Sequence, residues 1–157
     1  MLDKVPEKDP QTGKLKYEEE SVVSTATNDD KGEIRFRVMA DRAFSPDDFT
    51  SGAGEDAPQE GVTHDYTFYM MEKADANGNI RYDTTVYKID VTMVMHVQEE
   101  EDVQDNIVSY VKIYTYMVAK DSAGKDRIKV SVLGSNGSEA IEGDEIKFAN
   151  FWIETPS

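Results

Sequence analysis

No cysteine occurs in the 157 residues, which excludes disulfides, thiolate metal centres and cysteine nucleophiles together. If the protein works outside the cell, its mechanical or proteolytic resistance must have another source. Histidine occurs only at His64 and His96, so a Ser-His-Asp triad or a zinc site has almost no material. No apolar run approaches the roughly 20 residues of a membrane span, which argues against membrane insertion. No basic-then-apolar signal segment opens the chain; Met1 is followed by acidic, proline-containing residues and reads as an introduced start. Positive charge is also scarce, and a formal net charge of −15 repels phosphate backbones and argues against a nucleic-acid partner. The densest acidic runs, Glu18-Glu19-Glu20 and Glu99-Glu100-Glu101-Asp102, read as solvated charge.

What is present is globular in composition. Apolar residues make up 38% and aromatics 10%, enough for one domain over residues 1–157 with a single core. Residues 1–20 hold Pro6, Pro10, Gly13 and many charges, and read as an irregular N-terminal arm with a short strand near Leu15–Tyr17. The core is expected over 21–152, and 153–157 reads as the start of a linker. Ser21–Thr27 and Glu33–Met39 flank the turn sequence Asn28-Asp29-Asp30-Lys31-Gly32 and form an expected hairpin. Residues 40–63 carry three glycines, two prolines and six acids, and read as a long surface excursion too polar to pack. Further strands are expected at His64–Glu72, Thr85–Val97, Ile107–Val118 (after an acidic loop) and Arg127–Leu133. Nothing has helical periodicity. About seven strands with regular turn signals predict an all-β, antiparallel sandwich or barrel.

The last strand, Glu145–Trp152, holds the first unusual residue. Side chains alternate along a strand, so Ile146, Phe148, Asn150 and Trp152 share a face, and Asn150 is a carboxamide aimed at an apolar interior. Leaving such an amide unpaired costs roughly 1–3 kcal/mol, so a partner is expected. A backbone hydrogen bond would suffice for Asn150 alone. A second intruder stands upstream: Tyr66, Phe68, Met70 and Glu72 share a face, and Glu72 closes that apolar row. Desolvation there disfavours the charged carboxylate; a strand ending at Met71, with Glu72 reaching solvent, is the plainer account. Asp75-x-Asn77-x-Asn79 opens like a calcium loop but has Ile80 and Val86 where Gly and Glu are needed, so a tight turn at Asn77-Gly78 explains it better. Asn136-Gly137-Ser138 fits a glycosylation sequon, a pattern common by chance. No cofactor is implied.

Glu72 and Asn150 together suit one reaction. A buried neutral lysine can attack an asparagine side-chain carbonyl while a protonated glutamate shuttles protons and ammonia leaves. In this respect the chain resembles the isopeptide-linkage domains of Gram-positive pilins, the FctA-like major pilin and its streptococcal repeat relatives. The resemblance rests on Asn28–Phe36, Tyr66-Thr67-Phe68-Tyr69-Met70-Met71-Glu72, Tyr82-Asp83-Thr84-Thr85-Val86-Tyr87 and Phe148-Ala149-Asn150, in the family's order over 21–152. It implies an Ig-like, CnaB-type β-sandwich with Greek-key connections, Glu72 as catalytic acid/base and Asn150 as electrophile. The family's nucleophilic lysine lies on a first strand that residues 1–20 do not match. Met1-Leu2-Asp3 resembles the end of the second strand, so the reactive lysine is expected to be absent from this chain; Lys4, followed by Pro6 and charged residues, is the one early candidate and a poor one.

The implied protein is a structural pilus or cell-wall domain, extracellular on a Gram-positive bacterium, cross-linking once rather than turning over substrate. Its expected partners are neighbouring pilin or adhesin domains and a Lys-bearing β-strand or peptide, accepted by a truncated or split form of the domain. The alternative is a non-covalent adhesin sandwich whose 40–63 loop contacts a ligand.

Overall fold

The computed structural model describes residues 1–27, 31, 40–52, 57–73, 80–81, 83–133, 139–142 and 151–152. Among them the strands are β1 (Glu7–Lys8), β2 (Leu15–Lys16), β3 (Thr63–Met70), β4 (Ile80–Arg81), β5 (Tyr87–Gln104), β6 (Ile107–Val118), β7 (Ile128–Leu133), β8 (Glu139–Glu142) and β9 (Phe151–Trp152). One helical turn at Ala40–Ala43 and 3-10 turns at Glu19–Ser21 and Pro46–Phe49 complete them. This is an all-β protein built from antiparallel sheets. The largest sheet has five strands in the order β3-β5-β7-β8, with β6 also pairing with β5. Two-stranded ladders join β1 to β2 and β4 to β9.

The long hairpin follows from its turn. Asp105 and Asn106 both take positive φ, 50° and 64°. Two left-handed residues make the tight reversal whose twist suits antiparallel strands, and Asp and Asn tolerate that conformation better than most residues. The register runs from Gln104↔Ile107 to Met93↔Val118. Glu99–Asp102, expected in a loop, therefore continues β5 and pairs with Ser109–Lys112. Cross-strand pairing with β-branched and aromatic neighbours overrides the low strand propensity of four consecutive acids.

The second reversal is closed by Asp121. Its Oδ1 accepts from the Ala123 and Lys125 amides at 2.8 and 2.9 Å, and its own amide donates to the Lys125 carbonyl. Gly124 takes φ +80°, a conformation a side chain would strain.

By its internal contacts the chain divides into two compact units, one of residues 1–39, 67–90 and 129–157, the other of 40–66 and 91–128. In the first, Leu2, Val23, Phe68, Met70 and Ile89 are buried. Phe68 and Met70 lie on the face expected of β3, and Tyr87 and Ile89 on that expected of β5. Leu2 departs from the expected irregular arm. Its amide donates to the Tyr69 carbonyl at 2.7 Å and its carbonyl accepts from the Tyr69 amide at 2.8 Å. On its other side the Asp3 amide donates to the Ser21 carbonyl and the Met1 carbonyl accepts from the Val23 amide. The terminal ammonium donates to the Ser24 carbonyl, and burial lowers its pKa. The rest of the arm is exposed apart from half-buried positions, held by the β1–β2 ladder and by Asp9, whose carboxylate accepts from Gln11 and Thr12.

The second unit corrects the reading of 40–63. Among its described residues, Phe49 is fully buried and Ala43 is buried, so part of the segment packs. Its polar composition is accommodated by placing Asp47 and Asp48 in a 3-10 turn opened by Pro46, which turns one ring inward while the acids stay near the surface. Of the expected hairpin at 21–39, the described part Ser21–Thr27 is not a strand: a 3-10 turn ends at Ser21 and only Val22 makes an isolated bridge, to Leu2. Residues 28–30 and 32–39 lie outside the described residues, as do the turn at 75–79, the sequon at Asn136 and the linker at 153–157.

Candidate functional site

β3 delivers the first candidate. Its apolar face carries Phe68 and Met70, and the strand ends at Met70, two residues before Glu72. Glu72 is half-buried, and its Oε2 atom is removed from solvent. The side chain is thus neither free in water nor swallowed by the core. Asn150 lies outside the described residues; the next two residues, Phe151 and Trp152, pair with Arg81 and Ile80 in the β4–β9 ladder.

Lys4 is in solvent. Its side chain is 69% exposed, and its ammonium forms an ion pair at 3.4 Å with Glu18. A nucleophilic amine needs desolvation to stay neutral, and an exposed, ion-paired ammonium has none. Beside Lys4 lies an open cleft of about 460 Å³, lined among others by Asp3, Tyr17, Glu18, Ser21 and Tyr69.

Polar side chains also hold β3 to β5 within each unit. Thr67 Oγ1 donates to Asp90 Oδ1 at 2.6 Å, and Thr92 Oγ1 donates to Asp65 Oδ1 at 2.5 Å. Each is a hydroxyl bonded to a charged acceptor, stronger than a neutral pair.

Sequence reasoning missed a second cluster, in the unit of 40–66 and 91–128. Tyr66 donates its hydroxyl proton to Asp48 Oδ2 at 2.7 Å and accepts from the Ser45 amide at 3.4 Å. His64 Nε2 stands 3.8 Å from the same carboxylate oxygen. Desolvation first, and the Asp48 carboxylate second, push the Tyr66 hydroxyl well above the ordinary tyrosine range. Around it, Phe44 meets the Tyr66 ring edge-on at 5.1 Å and lies 5.0 Å from Tyr116. A phenol so hard to ionise serves as a hydrogen-bond donor that orients Asp48, not as a base. The sequence signals were Phe44 and Phe49, two aromatics among acids and prolines.

A third contact closes the loop before β3. Glu60 Oε2 accepts from the Val97 amide, and Oε1 lies 3.1 Å from His96 Nδ1. The Val97 bond first, and His96 second, lower the Glu60 pKa. A carboxyl whose folded pKa is depressed stabilises its contacts above its unfolded pKa and loses that contribution as pH falls through the folded value. The loop should therefore be clipped to Val97 at neutral pH and released in acid. The expected result is amide exchange at Val97, corrected for the intrinsic pH dependence, that accelerates below the carboxylate range in the parent and is already fast at pH 7 in Glu60→Gln. Identical protection in both proteins would show the clip to be incidental.

Among the described residues, no group of three or more His, Asp or Glu could hold a metal ion, and no helix is long and apolar enough to cross a membrane. Compared with known proteins, the chain matches no family model, no curated protein and no solved structure.

Proposed function

We propose that this chain is a structural domain of a Gram-positive cell surface or pilus, built to form one Lys–Asn amide cross-link, with the lysine delivered on a separate strand or peptide. The observation that carries the reading is Glu72: a carboxylate just past the end of an apolar strand face, with one oxygen removed from solvent. The all-β architecture is compatible with the Ig-like, CnaB-type sandwich with Greek-key connections that this reading entails.

In the reaction, the neutral lysine Nζ attacks Asn150 Cγ, forming the new C–N bond. Glu72, as a neutral acid, donates a hydrogen bond to Asn150 Oδ1. The proton lost by Nζ passes through Glu72 to Asn150 Nδ2, the Cγ–Nδ2 bond breaks, and ammonia leaves. Proton transfer by a positioned carboxyl is the general acid–base role, and the step requires the amine and the acid to react in their neutral forms. No cofactor enters.

Intact mass tests it. Incubated with a peptide bearing the family's lysine strand, the protein should gain the peptide mass less one ammonia. Peptide bound without any covalent gain would make the chain a non-covalent binding module instead.

A further inference from the structure

The β5–β6 hairpin carries an edge that the proposed cross-link does not use. β6 pairs with β5 and, among the described residues, with no other strand. Both faces of the hairpin beyond Val97 are exposed. Ile107 and Tyr110 are each 69% exposed, and Val108, Val111, Ile113, Tyr114 and Met117 also stand in solvent. A two-stranded ribbon is at best marginally stable alone in water, so this one is short of cover.

The two strands are defended very differently. β5 carries Glu99, Glu100, Glu101 and Asp102, the kind of charge that keeps an edge from pairing with other chains. Its side away from β6 is also occupied up to Val97. There the Gly61 amide donates to the Met95 carbonyl, the Met95 amide to the Val62 carbonyl, and Glu60 takes the Val97 amide. β6 has twelve residues, Lys112 as its only charge, and no proline or glycine. A long, exposed strand rich in apolar and β-branched residues, with one charge and no proline, suits the addition of another strand.

The turn fixes which groups it offers. In a two-residue hairpin the flanking residues, Gln104 and Ile107, form a hydrogen-bonded pair, and such pairs recur at every second position. The amides of Ile107, Ser109, Val111 and Ile113 are therefore used toward β5. Those of Val108, Tyr110, Lys112 and Tyr114 point outward.

The geometry points to β6 as the docking edge for a cationic, amphipathic β-strand of a partner protein, alternating Lys or Arg with apolar residues. Charge complementarity selects this occupant. An incoming strand lies two strand spacings from β5, about 10 Å, which the side chains of a Lys or Arg and a Glu can together span across β6. The acids lie on both faces: Glu99 and Glu101 on that of Tyr110, Glu100 and Asp102 on that of Val111. A second copy suits the edge less well. It brings −15 against −15, and its β6 offers only Lys112 to the acids.

The test uses the whole chain and a synthetic 12-residue peptide of alternating Lys and Val, with an alternating Glu and Val peptide as control. The basic peptide should bind the parent, weaken as salt rises, and outcompete the acidic one. Neutralising the exposed row (Glu99→Gln, Glu100→Gln, Glu101→Gln, Asp102→Asn) should weaken binding at least tenfold. Lys112→Pro separates strand pairing from simple charge attraction. It removes an outward amide while leaving the β5 ladder whole, a place where an edge strand tolerates proline. Loss of Lys112's charge alone would strengthen binding of a cation, as Lys112→Gln should, yet Lys112→Pro should weaken it at least tenfold. Parent-like binding by a folded Lys112→Pro would overturn strand addition. Failure of the basic peptide to bind, or a dimer of the parent that rises with salt and is lost in Lys112→Pro without peptide binding, would overturn the cationic occupant. These outcomes are independent of any mass gain at Asn150, so they leave the cross-linking reading to its own test.

Discussion

Incubated with a peptide carrying the lysine strand, Glu72→Gln is expected to lose the covalent product at least 100-fold in rate, and Asn150→Ala to lose it completely. Glutamine preserves the size and much of the hydrogen bonding of Glu72 but cannot exchange the proton, and positioned general acid–base groups contribute roughly 10²–10⁴ in rate. Alanine at 150 removes the carbon that is attacked. Both variants should still dock the peptide, because strand addition depends on backbone pairing and apolar burial. Docking should raise the melting temperature of parent and variants alike, since a ligand that binds only the folded state stabilises it. The readout is a denaturing gel of boiled mixtures beside a melting curve of the unboiled ones. A covalent band at parental rate with Glu72→Gln would remove Glu72 from the chemistry, and any band with Asn150→Ala would remove the whole scheme.

The strands at β3, β5, β6 and β7 were legible in the sequence, β3 and β5 because burial on one face leaves period-two alternation, whereas the β-branched run Ser21–Thr27 forms no strand. Phe68 and Met70, and Tyr87 through Met95, lie on the faces their spacing indicates. Boundaries were less legible. β5 runs on through the acids to Gln104 because the partner strand, not the local propensity, decides whether an acidic run pairs. At Leu2 periodicity was silent, since three residues give none; only the resemblance suggested a strand end there, and the backbone of Ser21, Val23 and Tyr69 pairs with residues 1–3 through isolated bridges. At the candidate site, the sequence left Glu72 between an apolar row and solvent, and it stands half-buried past the end of β3, whereas the Asp48–Tyr66 bond joins residues 18 apart through a loop whose composition concealed one buried ring.

That ring supports the largest stability prediction. Phe49→Ala should destabilise the protein by about 3–5 kcal/mol, the usual cost of deleting a buried aromatic and leaving a cavity. Phe49 is 0% exposed and lies 5.4 Å from the Tyr116 ring, 6.2 Å from Tyr66 and 6.3 Å from His64. Its carbonyl also accepts from the Gln59 amide at 2.9 Å, which ties the two ends of the excursion together. The cavity cannot close by a small shift, because Tyr66 is itself fixed by the Asp48 and Ser45 bonds. At this chain length a loss of that size lowers the melting temperature by roughly 10 °C. Phe49→Leu, which keeps most of the volume, should cost less than half as much. Tyr110→Ala, an aromatic truncated in solvent, should move stability by no more than about 0.5 kcal/mol. Denaturant unfolding followed by circular dichroism measures all three. If Phe49→Ala fell within the range of Tyr110→Ala, residues 40–63 would after all be the unpacked excursion that their composition suggests.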